Sequence, residues 1–350
     1  MPRPACEFEP PPFHPRRPGL VRPVRIDPAG LVGPTRAQTQ GAGWRRTSRG
    51  LYLPVRCPAD SVEQVLVEVA ASLPRHSSLT GWAALHWLHA PWSDGGRADG
   101  SRRPVPVLVG NHRMTARPEL LISSEGHRPA DVREIDGLPI TSPVWAVAFE
   151  ARRAATLEAA VRWLDIGYAA DLVDPVSLGV MAWRLTATTG VGRLREAMAY
   201  ANENSWSPQE TTMRLLWVRE LGISPVVANH PVFDLSGRFV ATPDLLDLSG
   251  GVAGEYDGRL HLQGRQRARD ITREGALRAV GLEYVTMTAA DLADPSDFLR
   301  RTRQARERAA HLPRRWTIES PEGWVDTTTV AARRGLTTSQ RGRLLRRQAG

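Results

Sequence analysis

The sequence predicts an α/β protein, with a mixed sheet flanked by helices in a C-terminal domain and an α+β accessory domain before it. Three observations carry this expectation. A chain of 350 residues is too long for one small core and suits two domains with tails. Hydrophobic residues at 41% beside charged residues at 24% describe a globular chain, neither disordered nor fibrous. Between residues 205 and 310 the pattern runs helix, three strands, helix, strand, helix, an α/β module of about 100 residues.

Residues 1–40 carry Pro2, Pro4, Pro10, Pro11, Pro12, Pro15, Pro18, Pro23, Pro28 and Pro34. Each proline lacks an amide donor, so this segment is expected to be a flexible arm. Residues 41–204 form the accessory domain. In it Trp44-Arg45-Arg46-Thr47 and Leu51-Tyr52-Leu53 read as short strands joined around Arg49-Gly50. Helices follow over 61–73 and 80–88, the second with Thr80 as N-cap and a stripe of Trp82, Leu85 and Leu88. The β-branched run 105–109 predicts a strand, 140–144 a strand end, and 146–162 a single helix. The Asn-Glu-Asn-Ser segment within 201–206 breaks the pattern and reads as the domain boundary.

In the domain over 205–310, Ser207-Pro208-Gln209-Glu210 opens a helix reaching 221. Segments 226–233 and 238–246 read as a hairpin turning through Asp234-Leu235-Ser236-Gly237. Gly250-Gly251 turns the chain into a third strand over 252–256. An arginine-rich helix over 263–280 stops at Gly281, a good C-cap; a strand over 284–288 and a helix over 295–310 follow. The arginine-rich tail, 311–350, reads either as a short helix-turn-helix or as a solvated basic tail.

A net charge of +9 and a pI near 10.6 point toward a polyanionic partner such as nucleic acid, although an arginine-rich composition produces the same balance. All 46 basic residues are arginine; the chain has no lysine. Cys6 and Cys57 cannot form a disulfide framework, and no Cys/His spacing resembles a zinc site. Apolar stretches fall far short of the ~20 residues of a membrane span. No secretory pattern opens the chain, so a cytoplasmic location and no membrane partner are expected.

The chemistry-bearing residues cluster in the last third. Successive strand side chains alternate faces, so Glu255 and Asp257 point the same way and Tyr256 the other. Adjacent carboxylates repel unless a cation lies between them. Asp244, after Pro243 at the end of the preceding strand, can approach Glu255 across the turn. Hard divalent cations take such oxygen ligands, lower the pKa of bound water and stabilise charge on a phosphodiester. Asp244 and Asp257 also stand beside Pro or Gly, where Asp serves as a turn residue. Glu210 either completes a capping box with the Ser207 amide or projects toward the cation. His261 is either an exposed bystander or a base near neutral pH. Arg273 either pairs with Asp270 at i, i+3 or grips a phosphate.

Pro243-Asp244, ten residues, then Glu255-Tyr256-Asp257-Gly258-x-x-His261, with Asp270-x-x-Arg273 and Gly281-Leu282-Glu283-Tyr284-Val285 beyond, resembles the PD-(D/E)XK nucleases. The branch it is similar to is related to very-short-patch-repair endonucleases. The likeness covers about 100 residues and implies a restriction-endonuclease-like fold acting on DNA with Mg²⁺ or Mn²⁺. It implies metal ligation by Asp244 and Glu255, support from Glu210 and Asp257, and an auxiliary role for His261. The lysine common in the wider superfamily two residues after the second acid is replaced by Asp257, as in this branch. Trp44-Arg45-Arg46-Thr47-Ser48-Arg49-Gly50-Leu51-Tyr52, Thr80-Gly81-Trp82-Ala83-Ala84-Leu85 and Leu138-Pro139-Ile140-Thr141-Ser142-Pro143 resemble AbiEi-type antitoxins. Arg45, Arg46 and Arg49 near the hairpin would then contact DNA phosphates as a wing does. The expected function is a metal-dependent DNA endonuclease; the alternative is a non-catalytic DNA-binding regulator of antitoxin type with a degenerate nuclease fold. RNA cleavage, target sequence, oligomeric state and pathway stay open.

Overall fold

The structure, a computed structural model, describes residues 8–57, 59–97, 99–258 and 264–348, with 264–270 and 345–348 described by their backbone. The architecture is mixed α/β. Two compact units divide after Glu150, well before the boundary expected at 201–206.

In the first unit the strands are β1 (Pro12–His14), β2 (Arg17–Val21), β3 (Trp44–Ser48), β4 (Leu51–Pro54), β5 (Ser78–Leu79), β6 (Val105–Leu108), β7 (Leu120–Ser123), β8 (Val132–Ile135) and β9 (Leu138–Thr141). Its helices are α1 (Val62–Ala71), α2 (Gly81–Trp87) and the start of α3 (Pro143–Arg153). A five-stranded sheet of order β7-β6-β5-β9-β8 carries the core, and β1-β2 and β3-β4 are separate hairpins. From residue 8 onward the proline-rich segment is docked, which corrects the expected flexible arm. The Arg17 guanidinium donates to the Trp87 carbonyl at 2.6 Å and to Asp136 at 3.1 Å. It also lies 4.1 Å over the Trp87 ring, a cation–π contact made where water is excluded. The Gln64 amide clasps Val21 through both its backbone groups, at 3.0 and 2.9 Å.

Thr80 stands at the N-cap of α2, but its hydroxyl pairs with that of Thr141 at 3.0 Å. Glu150 accepts the Trp82 amide instead, at 2.8 Å, and Arg103 balances its charge at 2.6 Å. A long-range carboxylate has replaced the local cap, which no local pattern reveals.

The second unit continues with α4 (Leu157–Ala169), α5 (Pro175–Arg184), α6 (Val191–Met198) and α7 (Pro208–Leu215), which runs into a π-turn over Leu216–Glu220. Then come β10 (Val226–Ala228), β11 (Val232–Asp234), β12 (Phe239–Ala241), β13 (Leu245–Asp247), β14 (Val252–Asp257), α8 (Gly264–Ala279), β15 (Glu283–Thr288), α9 (Ser296–Ala309), β16 (Trp316–Thr317), α10 (Val330–Arg334) and α11 (Thr338–Gln348). The single helix expected over 146–162 is two, because Thr156 caps a new start by accepting the Ala159 amide at 3.1 Å. The Asn-rich segment at 202–205 is interior, not linker. The Asn204 amide donates to the Ala228 and Asn229 carbonyls, each at 2.9 Å, and Asn202 N donates to buried Asp165 at 2.8 Å.

A four-stranded mixed sheet of order β10-β13-β14-β15 has antiparallel pairs except β14-β15, which is parallel. The hairpin expected over 226–246 bends between two sheets, since β11 and β12 join β16 in a separate three-stranded sheet. Pro231 and Pro243 interrupt both arms of the ladder, and Asn229 at φ 47° turns the chain between β10 and β11. One face of the four-stranded sheet, with Leu245, Val252, Val285 and Met287, packs on Met213, Trp217 and Phe298. The other, with Leu246 and Ala253, packs on Val232, Ala241, Leu277 and Trp316. Gly254 lets the Trp217 ring press against β14, since a Cβ there would stand 2.8 Å from it.

Of the two readings of the tail, the helical pair is the one observed. Fully buried Arg333 binds Asp171 and the carbonyls of Tyr168 and Glu203, each at 2.8 Å, so this part is not a solvated tail.

Candidate functional site

The antiparallel register pairs Leu246 with Ala253 and Leu245 with Gly254. One step further sets Asp244 opposite Glu255. Leu246 and Ala253 share the core on the α8 side, so by alternation Asp244 and Glu255 face that side as well. The Asp244 carboxylate accepts the Tyr256 amide at 2.7 Å, which ties the end of β13 to β14. The turn between these strands rests on buried Asp247, which accepts the Ser249 and Gly250 amides at 3.0 and 2.8 Å.

Glu255 is buried and meets the half-exposed Arg273 guanidinium of α8 at 2.9 Å. Arg273 thus supplies a positive charge to the acidic centre, a pairing the i, i+3 spacing to Asp270 did not anticipate. The Asp270 side chain and His261 lie outside the described residues. Asp257 ends β14, half-buried, on the same side of the strand as Glu255.

Glu210 lies in the first turn of α7, its amide donating to the Ser207 hydroxyl at 3.2 Å. Its carboxyl reaches back to the amide of Trp206 at 2.8 Å, one residue before the Ser207 amide a capping box uses. It also accepts from the Asn229 side chain at 2.6 Å. Burial, and next the negative charge of Asp244, push the Glu210 carboxyl up to about 8. Ser207 therefore caps the helix, while Glu210 ties down the residue before the cap and also faces the acidic centre. Burial likewise raises Asp244, against the Tyr256 amide and the Arg273 charge, which pull it down. Tyr284, opposite Ala253 on β15, is raised by burial and then by the charge of Glu255. The negative charge of Asp244, the part of the Glu210 rise that burial does not supply, would raise the affinity of Glu210 for a cation as it does for a proton.

The structure brings Glu210, Asp244, Glu255 and Arg273 into one electrostatic group. Among the described residues, no group of three or more His, Cys, Asp or Glu is disposed to hold a metal ion. Arg45 binds Glu68 through both terminal nitrogens, at 2.9 and 2.5 Å, so its charge is already matched within the first unit. Arg46 and Arg49 are exposed on the β3-β4 hairpin. Sequence reasoning missed Asn229, which bridges Glu210 and the Asn204 carbonyl. Its signal was a polar residue closing an apolar run before Pro231. Among the described residues no helix is long and apolar enough to cross a membrane. Compared with family models, curated proteins and solved structures, the chain finds no match.

Proposed function

We propose that residues 205–310 form a metal-dependent nuclease domain of PD-(D/E)XK type that hydrolyses DNA phosphodiester bonds. The observation that carries this reading is the facing pair Asp244 and Glu255 on neighbouring strands, with Glu210 raised to about 8 beside Asp244. The order α7, three antiparallel strands, α8 and a parallel fourth strand suits a restriction-endonuclease-like core. The basic chain suits a polyanionic substrate.

The donor set fits a hard divalent cation such as Mg²⁺ or Mn²⁺ in its chemistry: carboxylate oxygens at one end of β13 and β14, with the proton affinity of Asp244 raised by burial and that of Glu210, on α7, raised beside it. Asp244 and Glu255 would hold it, in competition with the Arg273 guanidinium. When bound, the ion supplies a water of lowered pKa and a counter-charge for the phosphorane-like transition state. Glu210 would release its proton as that positive charge arrives, and Asp257 is the candidate acceptor for a proton from the attacking water. Arg273, half-exposed, would transfer from Glu255 to a substrate phosphate. Arg46 and Arg49 on the hairpin of the first unit would contact phosphates elsewhere on the duplex.

A second reading, a DNA-binding regulator of antitoxin type with a degenerate nuclease fold, is favoured by two observations. Arg273 already neutralises Glu255, and no lysine is available to replace the one common in the wider superfamily. Plasmid nicking by purified protein separates the two. The enzyme reading expects strand breaks that require Mg²⁺ or Mn²⁺ and disappear in Asp244→Ala and Glu255→Ala. Salt-sensitive DNA binding without cleavage under every divalent ion overturns it in favour of the regulator.

A further inference from the structure

The helical pair that closes the chain takes no part in the acidic centre. Helix α10 ends at Arg334, the turn Gly335-Leu336-Thr337 follows, and α11 begins at Thr338. A short helix, a three-residue turn containing glycine and a second helix make a helix-turn-helix unit. Each helix has its own start. Thr329 accepts the Ala332 amide at 3.1 Å and opens α10. At α11 the Thr337 hydroxyl accepts the Gln340 amide at 3.3 Å, and the Gln340 side chain accepts the Thr337 amide at 2.9 Å, a reciprocal capping box.

One side of the pair is anchored. Val330 and Leu344 are buried. Arg341 donates to Asp171 at 2.7 Å and to the Arg333 carbonyl at the end of α10, which fixes the two helices against each other. The other side is open. Thr338, Ser339 and Arg343 are exposed, and Ser339, Gly342 and Arg343 lie three and four residues along α11, on one face. That face is polar and slender: a hydroxymethyl group, a residue with no side chain, and a guanidinium. From Thr327 to Gly350 the chain carries six arginines and no acid. The acids that meet the pair from its own unit, Asp171, Asp174 and Glu203, are engaged by Arg333, Arg334, Arg341 and the Val330 amide. Arg343, two residues beyond Arg341 and so on the far side of α11, points away from them.

We propose that α10 and α11 form a DNA-reading unit in which α11 enters the major groove of a duplex, at a site separate from the acidic centre. Charge and shape select this occupant. The arginine surplus suits a polyanion. The major groove of B-form DNA, about 12 Å wide, admits one α-helix, and a face built of Ser339 and Gly342 lets the α11 backbone come close to base edges. The Ser339 hydroxyl donates to or accepts from a base, and Arg343 reaches a guanine or a phosphate. Helix α10 would cross the sugar-phosphate backbone as the first helix of such units does. The site stands whether or not residues 205–310 cleave.

Fluorescence anisotropy of the full chain with a DNA duplex of about 20 base pairs, in chelator and about 50 mM salt, tests it. Ser339→Glu sets a carboxylate against the groove and is expected to weaken binding at least about tenfold. The same carboxylate lies in the first turn of α11, where it suits the helix dipole, so the melting temperature is expected to hold or rise. Lost binding is thereby told apart from lost folding. Arg343→Ala is expected to weaken binding and to lower the salt slope by about 1. A-form RNA has a major groove too deep and narrow to take a helix, so duplex RNA of the same sequence is expected to bind at least about tenfold more weakly than DNA. Equal affinity for the two duplexes overturns groove entry. Binding of DNA within about twofold of the wild type by both variants, or no binding by the wild type, overturns the site. Chelator keeps cleavage out of the readout, so failure here is distinct from failure of the nuclease reading.

Discussion

Replacing Glu210 by Gln isolates the electrostatic cost of the acidic centre. The neutral amide keeps an oxygen able to accept from Trp206 and Asn229, as Glu210 does at 2.8 and 2.6 Å. It removes the charge that Asp244 opposes. The carboxyl is raised from its ordinary 4.5 to about 8, so its protonated form is the one the fold favours. Stability from this group is fully present below pH 4.5 and is lost as pH rises through about 8. At about 1.4 kcal/mol for each tenfold change, the shift corresponds to at most about 5 kcal/mol, and relaxation with water entry reduces this to about 2 kcal/mol. Glu210→Gln should therefore match the wild type near pH 5 and melt higher at pH 9, by about 4–8 °C. Melting curves of both proteins from pH 5 to 9 in chelator provide the assay. Parallel curves, with no gap opening above pH 7, would refute the premise that burial and Asp244 act on this carboxyl.

Other expectations follow from packing and charge. Gly254→Val places carbon against the Trp217 ring, which a Cβ would already approach to 2.8 Å, and should cost about 2–3 kcal/mol in urea unfolding. Arg333→Ala leaves the Glu203 carbonyl without its side-chain donor, the Tyr168 carbonyl with only backbone donors, and Asp171 with only Arg341 as its ion-pair partner. It should cost about 3–5 kcal/mol and expose the segment after Thr329 to limited proteolysis. Arg273→Ala removes the cation beside Glu255, so under the nuclease reading Mn²⁺ affinity should rise about tenfold in a calorimetric titration, while DNA affinity falls and loses part of its salt dependence.

Much of the second unit was legible because its elements obey local rules. Gly281 at φ 89° stops α8, and Ser207 caps α7. The alternation of Val252 to Asp257 sorts side chains to the two faces of β14 as expected. That Asp244 meets β14 was legible for the same reason, because a short turn and the antiparallel register bring its carboxylate to the Tyr256 amide. What escaped was set by distant partners. Glu150 caps α2 from 68 residues away, and Arg17 pins a proline-rich hairpin to Trp87 from 70 residues away. The asparagines at 202 and 204 read as linker residues, yet they satisfy buried backbone groups and the Asp165 carboxylate. Helical spacing offered Arg273 either Asp270 or a phosphate, and no local spacing reveals the ion pair it makes with Glu255 of the neighbouring strand.

Binding of Mn²⁺ followed by electron paramagnetic resonance, without any nucleic acid, tests most directly whether Asp244 and Glu255 act as one cation-binding pair. The expected result is a single bound ion per chain in the wild type, weakened at least about tenfold by either Asp244→Asn or Glu255→Gln. Free Mn²⁺ spectra at millimolar concentration in the wild type, or binding that both substitutions leave unchanged, would contradict it.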